Sequence, residues 1–294
     1  MNHPLRTALF SGWCALLVYQ SNTAELVSDY GAFSLLGVIG AIFANATGAG
    51  GGVIFVPFFN QMGMAPLSIV ATSFGIQCCG MTAGAITWWR YFRQNHKSDA
   101  QWSMLANSLL LTVGPSLCGI WVAQFASHSI PILSVLKGNV DDLHLGFGIF
   151  SIVLAMAIFA SAALLKKTHF KVALAPFDAV LLPVIAFFGG VITAWLSVGV
   201  GELVAVYLII RGFNITMAIA VAVILTAFSV WGAIGYHSFV TLAVNWQIVL
   251  FAGAGAVVGG ILARHVVLAF SPTRLKVFFG TWVLIMGLSG LPIL

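Results

Sequence analysis

Nine apolar runs govern what this chain can become: Leu5–Tyr19, Ala32–Phe59, Leu67–Tyr91, Trp102–Ala126, Leu143–Leu165, Ala179–Ile210, Ile215–His237, Trp246–Val267 and Leu275–Leu291. A span of the hydrocarbon layer needs about 20 such residues. Pro, Asn, Asp, Ser and the charges gather between the runs, at Ser21–Tyr30, Arg93–Asp99, Ser127–Asp142, Lys166–Asp178 and Arg264–Arg274. Only 6% of the residues are charged and 61% are hydrophobic, whereas a soluble domain carries charge on roughly a quarter of its positions. That is too little polar side chain to cover a water-facing surface, so the solvent is lipid and the length fits one compact bundle.

The net charge of +5 does not point to nucleic acid, because Lys and Arg stand in small groups between apolar runs, as topology-setting charges do. Cys14, Cys78, Cys79 and Cys118 all lie inside apolar stretches without metal-ligand spacing, which reads as small buried thiols. The first run, with Arg6 before a short apolar core, could be a signal peptide. The following Ser21-Asn22-Thr23-Ala24 is not a clean cleavage site, and a retained helix is the expectation.

Two runs are too long for one simple span, Ala32–Phe59 and Ala179–Ile210. Both carry glycine in the middle, Gly48-Ala49-Gly50-Gly51-Gly52 and Gly199-Val200-Gly201. Glycine costs about 1 kcal/mol relative to alanine inside a helix, so a cluster should break one. Each run therefore reads as two short helical pieces, the second starting near Val53 and near Leu203. Irregular backbone at membrane depth is tolerated only within protein or against a wet cavity. A shift of 149 residues places Gly40 on Gly189, Gly50 on Gly199, Gly52 on Gly201, Gly63 on Gly212 and Ala71 on Ala220.

Positive charge sets an expected orientation. Arg90, Arg93 and Lys97 put one loop inside. Lys166, Lys167 and Lys171, then Arg264, Arg274 and Lys276, do the same for two more, and only Lys137 falls outside. The Ala179–Ile210 run then starts and ends inside as a hairpin. Ala32–Phe59, flanked by Glu25 and Asp29, should be its counterpart from outside. The predicted fold is an all-α polytopic membrane protein: an inverted repeat of a re-entrant helical hairpin plus three transmembrane helices, with one extra N-terminal helix. Residues 1–30 form that helix and an outer loop, 31–165 the first repeat and 166–294 the second. Many secondary transporters have this design; two kinked full spans remain the plainer alternative.

A helix start leaves unpaired N–H groups and carries roughly half a positive charge. Two such starts meeting at the midplane would bind an anion without Lys or Arg. Gly50, Gly51, Gly52, Gly199 and Gly201 would let it approach the backbone; close packing through small residues is the competing reading. Glu202 follows the second break, where Val53 follows the first. An acid at that depth points to function: a coupling proton carrier, or simply a cap on the helix. Thr72, Ser73 and Gln77 on one side, with Thr226 and Ser229 on the other, could donate to anion oxygens, although such groups often bond a neighbouring helix. Asn45 precedes the first break and could cap it or face the ligand. His237 reads as an interfacial ring and Arg211 as an orientation charge.

Gly48-Ala49-Gly50-Gly51-Gly52-Val53-Ile54-Phe55-Val56-Pro57 followed by Ala71-Thr72-Ser73 resembles the TauE/SafE sulfite exporter family, the TSUP permeases. The similarity runs from about Ala32 onward, with its motif content in the first half. It implies transport of sulfite, sulfonates or related organic anions, frequently export, with Gly50, Gly51, Gly52, Thr72 and Ser73 lining the path. In the second half Val206 stands where the repeat would place Pro57, and Glu202 where glycine or an apolar residue is usual. That departure points to a subgroup with a different substrate or coupling.

The leading expectation is a secondary transporter of small oxyanions in a bacterial inner membrane, coupled to protons or driven by the anion gradient. No cofactor is called for. Its partners would be a small anion and lipid, with no nucleic acid, and self-association into a homo-oligomer is left open. An anion channel with a fixed glycine filter is the nearest rival. An intramembrane hydrolase using Ser197 and His237 is remote, because Trp195-Leu196-Ser197-Val198-Gly199 is no nucleophile elbow.

Overall fold

A computed structural model describes residues 4–19, 22–126, 140–163 and 171–289. Lys137, Lys166 and Lys167, used for the expected topology, lie outside them. The described chain is helical: α1 Pro4–Tyr19, α2 Thr23–Tyr30, α3 Phe33–Thr47, α4 Gly52–Gln61, α5 Pro66–Tyr91, α6 Leu105–Phe125, α7 Val140–Ala163, α8 Pro176–Leu196, α9 Val200–Ile210, α10 Ile215–Phe239, α11 Trp246–Ala269 and α12 Pro272–Ser289. Five helical segments among the described residues are long and apolar enough to cross a membrane, or six if the bent pair α2–α3 is counted as one. Large apolar side chains such as Leu110, Val153, Phe188 and Trp231 are exposed, while Ser73, Gln77, Thr112, Ser116 and Glu202 are buried. Polar groups inside and apolar groups outside suit a lipid solvent.

Local chemistry explains the helix starts. Pro66 opens α5 and Pro176 opens α8, where the missing N–H costs nothing. Asn214 and Asn245 cap α10 and α11 by accepting the Met217 and Ile248 N–H groups at 3.1 Å each, as N-cap side chains do.

Both odd runs are hairpins. Phe33 at the start of α3 packs on Phe58 and Phe59 near the end of α4, with ring centroids 6.4 and 6.2 Å apart. Asp178 in the first turn of α8 pairs with Arg211 just past α9, Oδ1 to Nε 2.6 Å. Asp178 also accepts from Tyr207 Oη at 2.5 Å and from the Ala175 N–H at 2.8 Å. Arg211, expected as an orientation and headgroup charge, is also the clasp of the second hairpin. It is placed there because a carboxylate sealed from solvent requires a partner.

The hairpins enter from opposite ends of α5. The first leads directly into Pro66, where α5 begins. The second reaches the far end of α5, where Tyr91 packs on Trp102 and Asn214 donates to Gln101 Oε1 at 2.7 Å. Lys171 and Arg264 join this end too, through Lys171 N–H to Gly212 O at 2.9 Å and the Arg264 guanidinium 5.5 Å from the Tyr91 ring centre. Lys171, Arg211 and Arg264 therefore share one end. In its loop, the Gln101 N–H and His96 hold the Asp99 carboxyl below the usual range.

Helix α3 lies along α11 as α8 lies along α6; α5 crosses α10, and α7 lies along α12. The close pairs meet through small residues: a Cβ at Gly37 would stand 1.9 Å from Ala252 O, and one at Gly119 2.0 Å from Phe187 O. Such contacts bind helices tightly where no hydrophobic force separates helix from lipid.

Candidate functional site

Both breaks turn through residues of positive φ at corresponding positions. Gly48 closes α3 in the left-handed region, φ 79°, and Gly50 follows at φ 70°. Ser197 closes α8 at φ 59°, and Gly199 follows at φ 144°. These positions correspond under the 149-residue shift, as do Gly63 and Gly212 beyond each hairpin, at φ 70° and 90°. Ser197 adopts this conformation despite its Cβ, held by its N–H on Thr193 O at 2.8 Å.

The two breaks touch reciprocally. A Cβ at Gly52, the first residue of α4, would stand 2.4 Å from Ser197 O, and one at Gly201 in the first turn of α9 would stand 2.1 Å from Gly48 O. Each helix start is pressed against the carbonyl of the residue that caps the first helix of the other hairpin. Helix α9 begins at Val200, three residues before the expected start near Leu203. Leu203 already donates to Gly199 O, so Glu202 lies inside the first turn.

Gln77, projecting from α5, ties the junction together. Its Oε1 accepts the Gly51 N–H at 2.8 Å. Its Nε2 donates to Ser197 Oγ at 2.8 Å, Ser197 O at 3.1 Å and Ser73 Oγ at 3.0 Å. The two serine hydroxyls are 3.0 Å apart. On the other side Glu202 Oε2 accepts the Gly199 N–H at 2.9 Å, and Thr193 Oγ1 accepts the Val200 N–H at 2.9 Å. Two buried oxygens, Glu202 Oε1 and Thr226 Oγ1, have no hydrogen-bond partner among the described residues. Thr226 Oγ1 would stand 2.3 Å from a Cβ at Gly201.

Of the residues expected at the site, Gly50, Gly51, Gly52, Ser73, Gln77, Gly199, Gly201 and Glu202 come together here. Thr72 and Asn45 lie elsewhere. Thr72 Oγ1 accepts the Asn245 N–H at 3.0 Å, where α10 turns into α11. Asn45 Nδ2 donates to Ala41 O at 2.8 Å and Gly80 O at 3.3 Å, and its Oδ1 lies against Gly84. That amide serves the contact of α3 with α5. Ser229 bonds Ser116 on α6 at 2.6 Å. His237 is buried and stacked on Phe74, 5.4 Å between ring centres, because the end of α10 is enclosed by α5 rather than facing an interface.

Ser197 and Thr226 gained most from the structure. The sequence marks Ser197 only as a remote nucleophile, and Thr226 as one of several span hydroxyls. The internal shift holds a signal for both, since it sets Ser197 on the cap Gly48 and Thr226 on Gln77.

No curated protein and no solved structure matches the chain. A family model described as Sulfite exporter TauE/SafE matches residues 33–290, from the start of α3 to the end of α12. The match takes in both breaks, α5 with Gln77, and α10 with Thr226. The chain is a multi-pass membrane protein and belongs to the TauE/SafE sulfite exporter family, a family of membrane transporters for small anions.

Proposed function

We propose that this chain exports sulfite or an organosulfonate from a bacterial cell through the junction of its two hairpins, with Glu202 carrying a coupling proton. The observation that carries the reading is the reciprocal contact of two helix starts, at Gly52 and Gly201, beside hydroxyls of Ser73, Ser197 and Thr226. Helix starts favour anions, and hydroxyls orient oxyanion oxygens without adding fixed charge. The closed junction favours a gated carrier over a fixed filter, because an anion can enter only when the hairpins part. The reading treats residues 31–165 and 166–294 as inverted repeats whose relative motion exposes the junction to alternate sides, with the basic end in the cytoplasm.

Glu202 supports coupling by its geometry. One carboxyl oxygen caps the Gly199 N–H, while the other is buried without a partner among the described residues. A cap alone needs only the first. A buried, half-satisfied carboxyl is expensive when charged, so protonation and anion entry are linked.

Glu202→Gln tests this, since the amide oxygen can still take the Gly199 N–H. Sulfite flux in proteoliposomes should persist in the mutant but stop responding to an imposed pH gradient. A gradient response equal to that of wild type would rule out the proton role.

A further inference from the structure

Gln77 holds the Gly51 N–H with its side-chain oxygen, at the start of α4, and aims its amide nitrogen at Ser73 and Ser197. An oxyanion bound there would use the same groups, one oxygen on the Gly51 N–H and others on the two hydroxyls. A helix start alone does not mark a ligand site. The independent sign is Thr226, a residue 3% exposed whose hydroxyl is unpartnered among the described residues. Its oxygen faces Gly201, and its methyl lies 3.6 Å from where a Cβ at Gly50 would stand.

We propose that Gln77 is a place-holder: its carbonyl oxygen occupies the seat of a substrate oxygen in the empty protein, and an entering oxyanion displaces it. This rests on the junction being the anion passage and names the residue that switches within it. The empty site then leaves no buried N–H unsatisfied at Gly51, a state that is costly. On anion entry the Gln77 side chain swings out of the seat, and the Ser73 and Ser197 hydroxyls rotate to donate to the ligand. A ligand with several acceptor oxygens satisfies all these donors together, whereas a halide offers a single centre. Substrate affinity is reduced by the bond that has to be given up, and the site recloses on Gln77 when the anion leaves.

The test uses the full chain in detergent, with sulfite as the probe and sulfate and chloride at matched ionic strength. The readout is the anion concentration giving half the maximal rise in melting temperature. Gln77→Met keeps length and volume but loses the strong acceptor, and should lower the half-saturating sulfite about tenfold, the equivalent of one hydrogen bond no longer broken. Gln77→Glu puts a permanent carboxylate oxygen in the seat and should raise it by at least about tenfold. If Gln77→Met is not recovered folded, Gln77→Asn, which withdraws the amide by one methylene, should also lower it. An unchanged or higher value in the Met variant, or in Asn when it stands in, overturns the place-holder and makes Gln77 an ordinary ligand or brace. A wild type that responds to sulfite and sulfate no more than to chloride overturns the junction reading itself.

Discussion

Gly52 and Gly201 do the same work on opposite sides of one contact, and neither has room for a methyl group. Their would-be Cβ atoms meet backbone carbonyls, Ser197 O and Gly48 O, which cannot step aside. At Gly51 the obstacles are the Phe55 ring and Gln77 Cγ, 2.4 and 2.9 Å away, and side chains can turn. Gly52→Ala and Gly201→Ala should therefore each cost about 2–3 kcal/mol and much of the flux, with Gly51→Ala milder. Melting temperatures in detergent and proteoliposome flux give the ranking, and equal losses at all three would show that backbone contact is not the cause. Asp178→Ala strips Arg211 and Tyr207 of a shared partner. It should cost about 2 kcal/mol, less than a fully buried pair because Arg211 stays partly exposed. A melting temperature equal to wild type would refute the clasp. At this scale the sequence was readable where a residue type is out of place. Glu202 stood out as an acid at depth, and the glycines as helix breakers. Thr72 and Asn45 were not, because an amide or hydroxyl in an apolar run looks the same whether it faces a ligand or a neighbouring helix.

The hairpins are the elements on which transport would turn. Their existence was legible in the glycine clusters and in the charges that put both ends of Ala179–Ile210 on one side. The contacts that close them, Phe33 on Phe58 and Phe59 in one and Asp178 with Arg211 in the other, have no local sequence signature, since the partners stand far apart along the chain. The starting residue of α9 was hidden as well. A valine and a glycine can end a break as easily as begin a helix, and what starts α9 at Val200 is the reach of Glu202 and Thr193 to the break N–H groups. Single cysteines at Tyr30 and Gly63 should react with an impermeant thiol reagent from one membrane face, and those at the exposed Val172 and at Gly212 from the other, in a background lacking the native cysteines. Labelling of Tyr30 and Gly63 from different faces would make the first run a full span.

Across the whole molecule, one offset of 149 residues relates glycines in the sequence, left-handed residues in the backbone and reciprocal contacts at the junction. Even Trp231 and Thr82, partners under that shift, are bonded at 2.8 Å. Glycine positions made the correspondence visible in the sequence, whereas the meeting of the two breaks depends on how the bundle packs. The junction as anion passage is the claim on which the rest depends, and Thr226 tests it without disturbing the packing. Its hydroxyl has no partner among the described residues, so Thr226→Val should leave the melting temperature unchanged or higher. The measurement is sulfite flux against concentration in proteoliposomes, wild type beside Thr226→Val. A KM raised about fivefold by loss of one hydrogen bond to the anion is the expected result; an unchanged KM and rate would contradict it and place the passage elsewhere.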